Sequence, residues 1–111
     1  MNNQKKEKEG LTPTEEVQLL FVRNENAIRA FIRALQPSLS DADDVLQETF
    51  LTVSRKASSF EIGTNFTAWA CGIARLKVLE NFRQNKRANV LSEKAIIALT
   101  DDVPTPESFK E

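Results

Sequence analysis

The sequence predicts an all-α fold, a compact domain of three or four helices. Three observations carry that prediction. Apolar residues recur at spacings of three and four over most of the 111 residues, as they do on a helix with one buried face. Residues suited to capping, Thr14, Ser40 and Asn65, stand before three of these stretches. The stretches are separated by short segments, as in a helical bundle.

The first helix is expected to start at Thr14, with Glu15 and Glu16 in a favourable first turn. Val17, Leu20, Phe21, Ala27, Ile28, Phe31, Ile32 and Leu35 form its apolar stripe, and Pro37 stops it. The second helix runs from about Asp41 to Ala57 behind Ser40, with Asp43 three residues on in a capping-box-like role. It buries Ala42, Val45, Leu46, Thr49, Phe50 and Val53. Asp44, Gln47, Glu48 and Leu51 fall together on another side.

Residues 58–65 read as a loop. Asn65 then caps a third helix from Phe66 to about Lys86. Phe66, Trp69, Ile73 and Leu76 make one stripe of it, while Leu79 and Phe82 fall elsewhere. That pattern needs either two covering neighbours or a bend near Leu76. A short fourth helix spans residues 91–99 through Leu91, Ala95, Ile96 and Leu99. The organisation expected is a flexible tail over 1–13, a helical domain over 14–99, and a linker or tail over 100–111.

Composition excludes several functions. With no His and one Cys, His-based zinc sites, Ser-His and Cys-His nucleophile pairs and an internal disulfide are ruled out. Cys71 has no activating base in sequence and reads as a buried structural thiol. The acids Asp41, Asp43 and Asp44 lack the ligand alternation and turn glycine of a calcium loop. No phosphate-cradling glycine loop and no cofactor motif is present. Neither a catalytic residue, a metal ligand nor a cofactor is therefore expected, and the protein is read as a non-enzyme. The N-terminal residues lack the apolar segment of a signal peptide, and no apolar run matches a membrane span. A cytoplasmic protein without membrane contact is expected.

A net charge of −1, from 15 basic and 16 acidic residues, hides an asymmetry. Acids crowd residues 41–48, whereas Arg75, Lys77, Arg83, Lys86 and Arg87 face only Glu80. The acidic helix admits two readings. Its first turn satisfies the helix dipole, or its exposed face docks a basic partner with Leu51 as apolar anchor. The basic helix also admits two. Its rings Phe66 and Trp69 belong to the core, or they join Phe60 and Phe82 as stacking platforms for single-stranded nucleic acid beside phosphate-binding Arg and Lys.

Taken together, three stretches resemble region 2 of the extracytoplasmic-function sigma factors of bacterial RNA polymerase. Asp41 to Phe50 (DADDVLQETF) looks like that family's region 2.2 motif, Phe66 to Arg75 (FTAWACGIAR) like its region 2.3 core, and Phe82 to Arg87 (FRQNKR) like its region 2.4 end. The resemblance covers about residues 16–90, with motif order and spacing kept. It implies a non-enzymatic transcription initiation module of the sigma region 2 type. Asp44, Gln47, Glu48 and Leu51 would dock on the β′ clamp helices of core polymerase. Phe60, Thr64, Asn65, Arg75, Lys77, Arg83, Lys86 and Arg87 would bind promoter DNA, on the non-template single strand of the −10 element. An anti-sigma protein is a further implied partner. Leu76 stands where the family usually has Asn, and Asn81 where an aromatic is common. A full member of that family also has region 4, a helix-turn-helix; by the resemblance this chain would stop before it, as an excised domain or a truncated member, with 104–111 in the connecting linker. The alternative is a degenerate relative that serves as a helical interaction module without DNA function.

Overall fold

The computed structural model describes residues 10–36, 38–84 and 93–103. The tail over 1–9, Pro37, Lys86, Arg87, Leu91 and residues 104–111 lie outside them. Among the described residues there are five helices: α1 (Pro13–Arg23), α2 (Glu25–Leu35), α3 (Leu39–Arg55), α4 (Phe66–Gln84) and α5 (Glu93–Leu99). A single 3-10 turn (Ala57–Ser59) follows α3. Among the described residues no strand occurs, as the all-α expectation requires.

The expected first helix is two helices. Asn24 breaks it: its side-chain amide donates to Leu20 O at 2.8 Å and its backbone N–H reaches Leu20 O and Phe21 O. An Asn that satisfies carbonyls locally ends a helix more readily than it extends one. The break lets α1 bury Val17 and Phe21 while α2 turns Ile28, Ile32 and Leu35 inward. Ala27 stays exposed. The cap is Thr12 rather than Thr14. Thr12 Oγ1 accepts from Glu15 N at 3.1 Å and Thr12 N donates to Glu15 Oε1 at 3.0 Å, a reciprocal box with Pro13 in the first turn. Likewise Ser38, not Ser40, caps α3, accepting from Asp41 N at 3.3 Å. In both cases the earlier residue has the extended backbone that a cap needs. Asn65 caps as expected, its Oδ1 accepting from Ala68 N at 3.1 Å.

Helix α4 is the centre of the domain. Helices α1, α2, α3 and α5 all pack on it, and it buries Phe66, Ala70, Cys71, Gly72, Ile73, Ala74, Val78 and Leu79. Covering neighbours, not a bend, explain why its apolar residues surround it. Phe21 of α1 meets Phe50 of α3 edge-on, with ring centroids 5.2 Å apart. Gln36, itself buried, donates from Nε2 to Asn81 Oδ1 at 3.0 Å. Asn81, one of the two departures from the family pattern, thus ties the end of α2 to α4. In α5, Ile96 is buried but Leu99 is exposed; the seven-residue helix packs on α4. Thr100, assigned to the linker by sequence, is buried against it.

Burial also governs Cys71. Desolvation disfavours the thiolate and pushes the thiol up to about 11. Native protein at mildly alkaline pH is therefore expected to resist alkylation by iodoacetamide, while protein in denaturant reacts readily. The folded thiol keeps its proton where the unfolded thiol, at the ordinary value of 9.0, has lost it. This contribution to stability is complete below about pH 9 and is lost as pH rises to about 11. Rapid labelling of the native state, or stability that does not fall over that window more in wild type than in Cys71→Ala, would contradict this.

Candidate functional site

Asp44, Gln47, Glu48 and Leu51 all lie exposed along one line of α3. The amphipathic pattern forces this, because Ala42, Val45, Leu46, Thr49, Thr52 and Val53 occupy the buried side. Hollows flank the line. A polar groove of about 400 Å³ between α3 and α4 is lined by Asp44, Gln47, Glu48, Lys77, Glu80, Asn81 and Gln84. A more apolar hollow of about 460 Å³ on the other side is lined by Phe21, Val22, Arg29, Asp43, Leu46, Gln47 and Phe50 among others. Gln47 lines both. Arg29 bridges Glu25 at 2.5 Å and Asp43 at 3.3 Å across that second hollow, joining α2 to α3. A protruding amide between two hollows, with carboxylates beside it and Leu51 one turn on, is suited to holding a basic helical partner.

The basic residues do not form one patch. Lys77 was expected on the nucleic-acid side. Instead it lines the groove of Asp44 and Glu48, is 17% exposed, and pairs with Glu80 at 3.6 Å. Two residues along a helix is a rotation of about 200°, so Arg75 and Lys77 leave α4 on opposite sides. Arg75 is half-buried and donates from Nε to Thr100 Oγ1 at 2.7 Å. Arg83 is exposed near the end of α4. Lys86 and Arg87 lie outside the described residues.

The loop before α4 also differs from expectation in one respect. Phe60 was expected to offer its ring to promoter DNA, yet it is 7% exposed. Its ring packs 5.4 Å from Phe66 and 5.1 Å from Trp69, centroid to centroid. An unpaired ring on a loop is cheapest buried when neighbours supply an aromatic wall. The same cluster anchors the loop, whose outward residues include Glu61, Ile62, Thr64 and Asn65. Gly63 turns it with φ +94, a conformation that disfavours any side chain. Thr64 donates from Oγ1 and N to Glu61 O, at 2.6 and 3.1 Å. Ile62, 62% exposed at this turn, escaped the sequence reading because a lone apolar residue in a loop has no periodicity. Glu80, Asn81 and Gln84 escaped it too, although with Lys77 they recur at helical spacing.

Among the described residues no cluster of His, Cys, Asp and Glu able to hold a metal occurs. None of their helices is long and apolar enough to cross a membrane.

Residues 20–88 match the family model for Sigma-70 region 2, and the chain belongs to that family. Within it, the chain is a region 2 of the extracytoplasmic-function type. It is 37% identical over 77 residues to the ECF RNA polymerase sigma factor SigF of Caulobacter vibrioides, covering 68% of this chain and 43% of that protein. It is 28% identical over 89 residues to the RNA polymerase sigma factor CarQ of Myxococcus xanthus, covering 80% and 48%. With the ECF sigma factor EcfG of Rhodopseudomonas palustris it shares 34% identity over 61 residues, covering 55% and 34%. The chain thus spans less than half the length of each of these relatives. No solved structure gives a significant match.

Proposed function

We propose that this chain acts as the region 2 portion of a bacterial transcription initiation factor, a binding module and not an enzyme. It docks on core RNA polymerase through the β′ clamp helices and recognises and opens the promoter −10 element. The observation that carries this reading is the exposed line of Asp44, Gln47, Glu48 and Leu51 between two hollows, in a domain of the sigma region 2 family. The DNA side is the loop through Ile62, Thr64 and Asn65 with Arg75 and Arg83, joined by Lys86 and Arg87. Phe60 serves there from below, holding the loop through its aromatic neighbours. Lys77 belongs to the docking groove. The −10 element is met as an unpaired strand. Flipping a base costs a few kcal/mol, which stacking and hydrogen bonds on the loop repay, while Arg and Lys grip phosphates.

Adding the chain to core polymerase is expected to confer binding to a duplex with an unpaired bubble, and Arg83→Ala with Lys86→Ala and Arg87→Ala is expected to weaken it at low salt. Binding of polymerase undiminished in that triple variant, with DNA binding unchanged, would favour the second reading, a docking module without DNA function. That reading draws support from Lys77, which lines the groove with Asp44 and Glu48 and pairs with Glu80.

A further inference from the structure

Arg75 is tethered by a segment beyond the part of the chain that matches the family. Its Nε donates to Thr100 Oγ1 at 2.7 Å. The Thr100 hydroxyl donates in turn to Ile96 O at 2.6 Å. A hydroxyl has one proton, so its oxygen faces Arg75 solely as an acceptor and its direction is fixed. Thr100 is 2% exposed, which shields the bond from competing water. Its backbone N–H closes onto Ile96 O and Ile97 O at 3.1 and 3.3 Å. Ile96 is buried and Val103 packs on the core, so the segment carrying the acceptor is itself seated.

An arginine side chain is long, and ordering it on binding costs free energy. Its guanidinium recognises phosphate by a planar fork whose plane must be aimed. Fixing Nε fixes that plane. We propose that Thr100 is a positioning residue for Arg75, and that the segment 93–103 folds back on α4 to aim the Arg75 guanidinium at a phosphate of promoter DNA. The inference rests on the DNA-binding reading above. It makes residues past the family match part of the nucleic-acid interface.

The test titrates core RNA polymerase loaded with the full 111-residue chain into a dye-labelled duplex of mixed sequence with an unpaired bubble, at low salt, by fluorescence anisotropy. Thr100→Val keeps the shape and removes the acceptor. It is expected to weaken binding roughly two- to tenfold, the ordering cost of one long side chain, and Thr100→Ser restores it. Arg75→Lys keeps the charge but lacks the Nε donor, so it shows the same loss even if Thr100→Val folds poorly. In an Arg75→Ala background, Thr100→Val has no further effect, whereas a purely structural Thr100 would still weaken binding there. Arg75→Ala also lowers the salt slope by about 0.7 to 0.9, one phosphate contact. Unchanged or tighter binding by Thr100→Val and Arg75→Lys, with wild type bound, overturns this inference alone. No DNA binding by wild type overturns the DNA reading and this inference with it.

Discussion

Glu48→Lys is expected to weaken binding of this domain to a β′ clamp-helix fragment by about tenfold or more, some 1.4 kcal/mol, with helical content unchanged. The residue is exposed on α3 and lines the groove with Asp44 and Gln47, so the substitution disturbs no core contact. Reversal removes an attraction and adds a repulsion, and like charges across an interface cost more than a missing contact. Asp44→Lys should act in the same direction. Gln47→Ala changes no charge but removes the exposed amide that lines both hollows, and should also weaken binding. Glu61→Lys, an equal charge change on the loop, serves as the control and should bind normally. The difference between Glu48→Lys and wild type should shrink at high salt as exposed charges are screened. Normal binding by Asp44→Lys and Glu48→Lys, from folded protein, would remove the docking assignment.

Ile73→Ala should destabilise the domain by about 2–5 kcal/mol, the range for emptying a buried aliphatic site. Ile73 is fully buried near the middle of α4, the helix on which α1, α2, α3 and α5 converge. The loss combines the missing hydrophobic burial with a cavity that fixed neighbours fill poorly. Single domains of this size have about 5–15 kcal/mol in total, so the variant should unfold at markedly lower urea and could be largely unfolded at growth temperature. Leu99→Ala, an equally apolar truncation at an exposed position of α5, should change stability by less than about 0.5 kcal/mol. Urea unfolding followed by circular dichroism measures both. A loss under about 1 kcal/mol at Ile73 would mean that α4 is not the close-packed centre described here.

The expectations from sequence failed in a consistent place. Helix caps moved by two residues, from Thr14 to Thr12 and from Ser40 to Ser38. Several polar residues near a helix start can each cap it, and the choice depends on which one the chain's path leaves extended. Asn is a weak helix former, but a continuous apolar period on both sides of Asn24 carried the expected helix through it. Polar residues singled out by charge were harder still. Lys77 and Arg75 looked like members of one basic run, and the helix rotation set them on opposite sides.

What the sequence determined by itself was what local periodicity and residue type encode. It encoded the all-helical class, the buried stripe of α3, the exposed line Asp44, Gln47, Glu48 and Leu51, the Asn65 cap, and the family through its ordered motifs, whereas the stripe expected for α4 failed at Trp69 and Leu76, which are half-buried, while Val78 and Leu79 are buried. Burial of one side of a helix follows from spacing, so those assignments need no knowledge of the neighbours. The tertiary structure alone decided which outward residues share a surface. Lys77 joins the acidic groove, Phe60 sinks beneath its loop, Gln36 reaches Asn81, and Thr100 reaches back across the chain to Arg75. Each of those pairings joins residues brought together by the packing of separate elements, and no local pattern records how two elements will meet.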